Sequence, residues 1–294
     1  MKLSEAAALF VAEVAGWKMN ETPKAYQNKL RRLSALNDMD LNDITLADLN
    51  RIKTDMLSTH SPYTVKSTFT TVKHFFKWAY ASGLTGTNPA LSLRIPPPPP
   101  PNPKPISEDT FEKLFDAAKV YGDDLERARN VALLAVLRDT GGRVSGITSL
   151  EMDALDLRRG LATVIEKSKS RALYLNAPAI TALERWLAVR DEMDHSVNTV
   201  FYSFTTGKAL TRSGVEHILN TLARHAGVTA RHNPHSFRHA FARDCLQAGA
   251  DLSQVSQLMG HSRITITADY YARWDDRELK KTHRKVSPGR KIKL

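Results

Sequence analysis

Pro96 to Pro101 is an unbroken run of six prolines, and Asn102-Pro103-Lys104-Pro105 continues it. Proline fixes φ near about −65° and has no N–H to donate, so neither a helix nor an interior strand can pass through this stretch. It favours an extended polyproline II spacer of about 3.1 Å per residue. The other reading is a PxxP ligand for a partner's domain. The spacer is preferred because both flanks carry the patterning of folded segments. The 294-residue chain is therefore expected to form two units, residues 1–95 and 106–294, joined by residues 96–105. Each is long enough to bury a core of its own.

The first unit reads as all-helical. Leu3, Ala7, Phe10, Val11 and Val14 recur at helical spacing, and Thr22-Pro23 has the cap-and-proline pattern of a second helix start. Thr45 is placed to cap a helix from Leu46 to about Leu57. A fourth helix, from Pro62 to about Ser82, carries the apolar stripe Val65, Phe69, Val72, Phe75, Phe76 and Ala79. A stripe of that period usually faces a core, so Phe75, Phe76 and Trp78 are read as packing residues. Lys66, Lys73 and Lys77 lie outside the stripe and are open to either solvent or phosphate.

A net charge of +11 favours a polyanionic partner, nucleic acid before an anionic membrane. Lys280 to Leu294 holds seven Lys or Arg and no Asp or Glu, a tail that adds electrostatic affinity for DNA. Cys245 is the only cysteine, which excludes an intrachain disulfide and fits a reducing compartment. No run approaches the roughly 20 apolar residues of a membrane span. Met1 to Gly16 contains Glu5 and Glu13 and reads as an amphipathic helix, not a signal peptide. The expected location is the cytoplasm.

In the second unit Ser107 caps a helix with Glu108 and Asp109 in its first turn, as the helix dipole prefers. A helix from about Leu125 to Asp139 stops at Gly141-Gly142, and Arg143 opens a short helix ending near Leu150. The β signal is Leu161 to Ile165 and Ala172 to Leu175 around the polar turn Lys167 to Arg171. Helix returns from Pro178 to about Arg190. Asn233-Pro234 starts a helix with His235 in its first turn, and Asp251 caps another that Gly260 closes. Ser262 can cap the segment bearing Tyr270. The fold class is thus mainly α with a small β-hairpin.

His235 and Arg238, three apart on a helix, project from one face. Together with Arg143, His261 and Tyr270 they form a set suited to attack on a phosphodiester. Arginine's planar fork stays charged and binds two oxygens of a phosphate gaining charge. Histidine exchanges protons near neutrality. Tyrosine, with an ordinary pKa of about 10, needs neighbouring positive charge to become a nucleophile. A lysine on the hairpin turn can protonate a leaving oxygen. Singly, each residue is more often structural. His235 and His239 also have the spacing of a zinc pair, but no Glu follows His235 and Arg238 would repel a metal. No cofactor and no metal are expected.

The order of the motifs carries more weight. Asp139-Thr140-Gly141-Gly142-Arg143-Val144-Ser145, the hairpin, Pro234-His235-Ser236-Phe237-Arg238-His239, and Leu258-Met259-Gly260-His261-Ser262 with a tyrosine nine residues after the histidine follow in sequence. Across the second unit the chain resembles the tyrosine recombinase (phage integrase) family. The resemblance implies that residues 1–95 are a core-site DNA-binding domain with no separate arm-site domain ahead of it, and that 106–294 is the catalytic domain. It implies that Tyr270 attacks phosphorus to form a 3′-phosphotyrosyl bond, Arg143 and Arg238 clamp the phosphate oxygens, and His235 acts as base or hydrogen-bond partner. His261 would donate to the phosphate and Lys167 would protonate the departing 5′-oxygen. Lys169 competes with Lys167, because the turn is about one residue shorter than the family pattern; Tyr271 is the weaker competitor of Tyr270.

The partners implied are double-stranded DNA with inverted-repeat core sites, three further copies in a homotetramer on synapsed DNA, and accessory DNA-bending proteins. The source implied is a phage or other mobile element. A type IB topoisomerase-like enzyme and a DNA-binding regulator on the same fold are the alternatives. One departure keeps the regulator open: the family usually has an acidic residue three after the first arginine, and here that position is Gly146.

Overall fold

The computed structural model describes residues 1–17, 23–100, 102–166, 169–192, 197–261, 263–271, 280 and 283–284, without the side chains of 15–17 and 269–271. The chain divides into two compact units, Met1–Pro100 and Pro101–Leu294.

In the first unit, α1 (Leu3–Trp17), α2 (Pro23–Leu30) and α3 (Leu46–Thr59) pack against α4 (Pro62–Ala81). The stripe on α4 supplies the core: Val65, Phe69, Val72, Phe75, Phe76 and Ala79 are buried. Phe10 of α1 meets Phe75 edge-on at 5.6 Å and Tyr26 at 5.8 Å. Trp78 is only partly buried and donates its indole N–H to Glu13 at 2.7 Å. Local chemistry sets the helix starts. Thr45 and Asp48 form a reciprocal capping box on α3, and the Ser61 hydroxyl accepts the Thr64 N–H at 3.2 Å ahead of Pro62. Thr22 lies outside the described residues. After Leu30 the chain tightens into a 3-10 segment, Arg31–Leu36.

The second unit is built around α6 (Asp124–Thr140), whose Ala132, Leu133, Leu134, Val136 and Leu137 are all buried. Apolar burial all round a helix means it is covered on every side. Here the cover is α5 (Glu108–Val120), α8 (Ala177–Val189) and α10 (Pro234–Gln247). Arg138 ties three of these together, pairing with Glu108 at 2.6 Å and Asp244 at 2.5 Å. Beyond α7 (Val144–Thr148), β1 (Leu155–Asp156), β2 (Leu161–Glu166) and β3 (Lys169–Tyr174) form an antiparallel sheet in the order β1-β2-β3. The unit closes with α9 (Arg212–His225), α11 (Leu252–Leu258) and α12 (Ile264–Tyr271). Among the described residues no helix is long and apolar enough to cross a membrane.

Two features differ from the sequence reading. The hairpin strands run on to pair Glu166 with Lys169 and Val164 with Arg171, so Lys169, Ser170 and Arg171, expected in the turn, belong to β3. Polar residues do not end these strands because one face of the hairpin is solvated. Helix α9 has no counterpart in that reading. Its signal was nevertheless present: Thr211 accepts the Gly214 N–H as N-cap, and Val215, Ile218, Leu219, Leu222 and Ala223 make a buried face at helical spacing.

Candidate active site

A glycine turn positions the first arginine. Gly141 ends α6 in the left-handed conformation, φ 54°, and a Cβ there would come within 2.4 Å of the Phe241 ring. Only glycine satisfies both constraints. The chain then reverses, and Arg143 becomes the N-cap of α7 with extended φ/ψ. Its main-chain N–H donates to Glu166 Oε1 at 3.2 Å, its Nη1 pairs with Glu166 Oε2, and its Nη2 donates to the Gly260 carbonyl at 3.2 Å.

Arg238 arrives from α10, where Asn233 caps the helix and Pro234 opens it. It is buried, donating from Nη1 to the Gly141 carbonyl at 2.6 Å and from Nη2 to the Met259 carbonyl. A third arginine, from the hairpin, completes the pattern: Arg171 donates to Leu258 O at 2.8 Å and to Met259 O at 3.0 Å. Three guanidiniums therefore converge on the carbonyls that close α11. Such carbonyls have no partner within the helix and lie at the negative end of its dipole, so cations gather there readily.

The histidines sit in this positive field. Partial burial, then the charges of Arg238, Arg143 and Arg171, push His261 down to about 4. His239 is likewise pushed down to about 4, by burial first and then by His235, Arg231 and Arg238. Solvent reaches His235, yet partial desolvation followed by Arg212, Arg238 and Arg231 lowers its pKa as well. The His261 Nδ1 lies 2.8 Å from Thr267 Oγ1 on α12. When that hydroxyl is the donor, the ring proton resides on Nε2, where it can be given to an anion. An imidazole that is neutral at pH 7 can donate one hydrogen bond and still accept a proton.

These shifts carry a stability consequence with a definite sign. Folded His239 and His261 stay neutral down to about 4, whereas unfolded histidine protonates near about 6.5. Between those values the unfolded chain binds more protons, so the histidines' contribution is complete above the unfolded pKa and is lost as pH falls towards the folded one. The melting temperature of the DNA-free protein is expected to drop between about pH 7 and pH 5, above the range of ordinary carboxylates. Replacing both histidines with glutamine should flatten that slope; an unchanged slope in the double variant would count against the assignment.

Of the residues singled out from sequence, Arg143, Arg238 and His261 are brought together, and Arg238 lies close enough to His235 to affect its titration. Tyr270 and Tyr271 lie in α12, the helix that follows His261, with side chains outside the described residues. Lys167, Ser262 and most of the basic tail also lie outside them, while Lys169 is the exposed first residue of β3. Among the described residues no group of His, Cys, Asp or Glu could hold a metal ion. Three participants escaped the sequence reading: Glu166, Arg171 and Thr267. The available signal was a paired oddity, a glycine at 146 where an acid is usual and an acid at the end of an otherwise apolar strand.

The chain is similar to known proteins in sequence and in fold. Residues 104–278 match the model of the phage integrase family. Tyrosine recombinase XerD of Pseudomonas aeruginosa is 32% identical over 263 residues, covering 85% of this chain and 86% of the relative. Tyrosine recombinase XerC of Pseudomonas syringae pv. tomato is 31% identical over 271 residues, covering 92% and 87% respectively. Among solved structures, the Tn1549 transposon integrase in complex with a circular intermediate DNA aligns with a TM-score of 0.80 at 19% identity, over 97% of this chain and 100% of that one. A lambda integrase dimer bound to a core site aligns at 0.71 and 20% identity, over 94% and 98%. At those identities the structural likeness is one of fold.

Proposed function

The chain belongs to the phage integrase family and is a tyrosine-type site-specific DNA recombinase, and we propose that it cuts and rejoins double-stranded DNA through a 3′-phosphotyrosyl intermediate on Tyr270. The observation that carries this reading is the convergence of Arg143, Arg238 and His261 at the end of α11, immediately before the helix that bears Tyr270. In the proposed step the Tyr270 oxygen bonds to phosphorus as the bond from phosphorus to the 5′-oxygen breaks. The phenolic proton passes to His235, and Lys167 protonates the 5′-oxygen. Arg143 and Arg238 meet the charge that grows on the non-bridging oxygens, and His261 donates to one of them. The covalent bond conserves the energy of the phosphodiester, so a 5′-hydroxyl from another strand can reverse the step without ATP.

The first unit we assign to core-site DNA binding. The solvent side of α4 and the adjoining part of α2 form a shallow groove of about 270 Å³ lined by Tyr26, Lys29, Tyr63, Lys66, Thr70 and His74. Its cations, hydroxyls and aromatic rings are the groups that position a protein on a phosphate backbone. The proline tract is then long enough to let the two units engage opposite faces of a duplex about 20 Å thick. Inverted core sites, a tetramer on synapsed DNA and accessory bending proteins complete the proposal. The names XerC and XerD among the relatives favour a Xer-like recombinase over a phage enzyme.

The test is covalent capture. DNA flanking the gene, together with sites selected by binding from a random library, is incubated with the protein in EDTA and quenched in SDS. A protein–DNA adduct that survives SDS is the expected result. Specific, salt-sensitive binding without any adduct would instead identify a regulator on a recombinase fold.

A further inference from the structure

Position 146 holds glycine where the family pattern has an acid, and the structure supplies a carboxylate from elsewhere. A Cβ built on Gly146 would lie 3.0 Å from Glu166 Oε1, 3.2 Å from Glu166 Cγ and 3.3 Å from Val164 Cγ2. A side chain at 146 would therefore press on Glu166, the last residue of β2, and on Val164. Glu166 is 7% exposed. It accepts the Arg143 main-chain N–H at 3.2 Å, pairs with the Arg143 guanidinium, and accepts Arg171 Nη1 at 3.1 and 3.2 Å.

Resting on the recombinase reading above, we infer that Glu166 is a positioning residue for the reaction, delivering from the hairpin the carboxylate that the family pattern places three residues after the first arginine. The physical argument has two parts. A guanidinium held by a carboxylate on one edge is oriented, and its remaining N–H groups point in a fixed direction. Arg143 is fixed in this way at both its main chain and its side chain. Second, the two locations exclude each other. An acid at 146 beside Glu166 would set two carboxylates in contact, where like charges cannot both stay ionised at low cost. The glycine and the glutamate therefore form one unit, and each makes sense only with the other. Because Glu166 directly precedes Lys167 in sequence, the same carboxylate also ties the arginine clamp to the strand end next to that lysine.

The experiment is a swap, read as the rate of covalent adduct formation at saturating DNA, with DNA affinity and melting temperature measured beside it. Glu166→Gln keeps the shape and removes the charge; it is expected to slow adduct formation by about 10- to 100-fold while affinity changes by less than about threefold. Gly146→Glu alone should slow it comparably. The pair Glu166→Ala with Gly146→Glu should return to within about fivefold of wild type, whereas Glu166→Ala with Gly146→Ala should not. A merely structural role for Glu166 predicts no such charge-specific rescue. A wild-type rate in Glu166→Gln, or a swap no faster than Glu166→Ala, overturns the inference while the recombinase reading stands. Failure of the wild-type protein to form any adduct overturns both.

Discussion

Tyr270→Phe abolishes the SDS-resistant adduct, and Tyr271→Phe leaves it: this is the expected outcome of the largest single test of the site. In the proposed step, removing one phenolic oxygen takes away the atom that bonds to phosphorus, so the loss is expected to exceed about 10³-fold and to reach the detection limit. DNA affinity should change by less than about twofold, because a phenol-to-phenyl change removes no cation. Both tyrosines lie in α12. At 3.6 residues per turn, adjacent positions are about 100° apart around the axis, so only one of them addresses a given point. The resemblance to the family, with its tyrosine nine residues after the histidine, favours Tyr270. An adduct that persists in Tyr270→Phe and vanishes in Tyr271→Phe would transfer the role to its neighbour and leave the rest of the site intact.

The second large effect is expected at Arg238. Arg238→Ala should reduce adduct formation by about 10³-fold, the scale of losing a main electrostatic stabiliser of a transition state. It should also destabilise the fold. The buried Gly141 carbonyl would lose the Arg238 donor, at a cost of about 1–3 kcal/mol. Arg238→Lys separates the two effects. Lysine keeps the charge, but a single ammonium cannot reproduce a planar fork that reaches Gly141 and Met259 at once. Stability should recover in part and the rate much less. Melting curves and single-turnover cleavage on the same DNA check both statements, and an Arg238→Ala variant that cleaves within about threefold of wild type would remove Arg238 from the clamp.

The parts of the fold legible from sequence were those governed by neighbours along the chain. Thr45, Ser107, Asn233 and Asp251 each cap the helix that follows, because a hydroxyl, amide or carboxylate needs only the next three residues to act. The mainly helical class with a small antiparallel sheet followed from such signals and from the alternation in Leu161 to Ile165. The convergence of Arg143, Arg238 and His261 was reached through motif order, not through local pattern. What remained hidden depends on distance. Glu166 lies 23 positions from Arg143, and no periodicity links a strand end to a helix start. Helix α9 was overlooked because its exposed positions are polar and its buried face begins only after Gly214. The hairpin turn was drawn too long because polar side chains were taken as loop, when half of a solvated hairpin is free to be polar.

The meeting of three guanidiniums at the end of α11 has a thermodynamic consequence. Arg143, Arg171 and Arg238 come from the α6–α7 turn, the hairpin and α10, and all three tether Leu258, Met259 and Gly260. Those tethers immediately precede His261 and the helix that carries Tyr270. An anion that competes for the N–H groups now given to these carbonyls weakens the tethers, and linkage makes the exchange reciprocal. Where that competition occurs, phosphate binding is expected to relax the grip on this segment. In amide exchange, the residues around Met259 would then lose protection on anion binding while the rest of the second unit gains it, an inversion in which the anion loosens the segment that leads into α12.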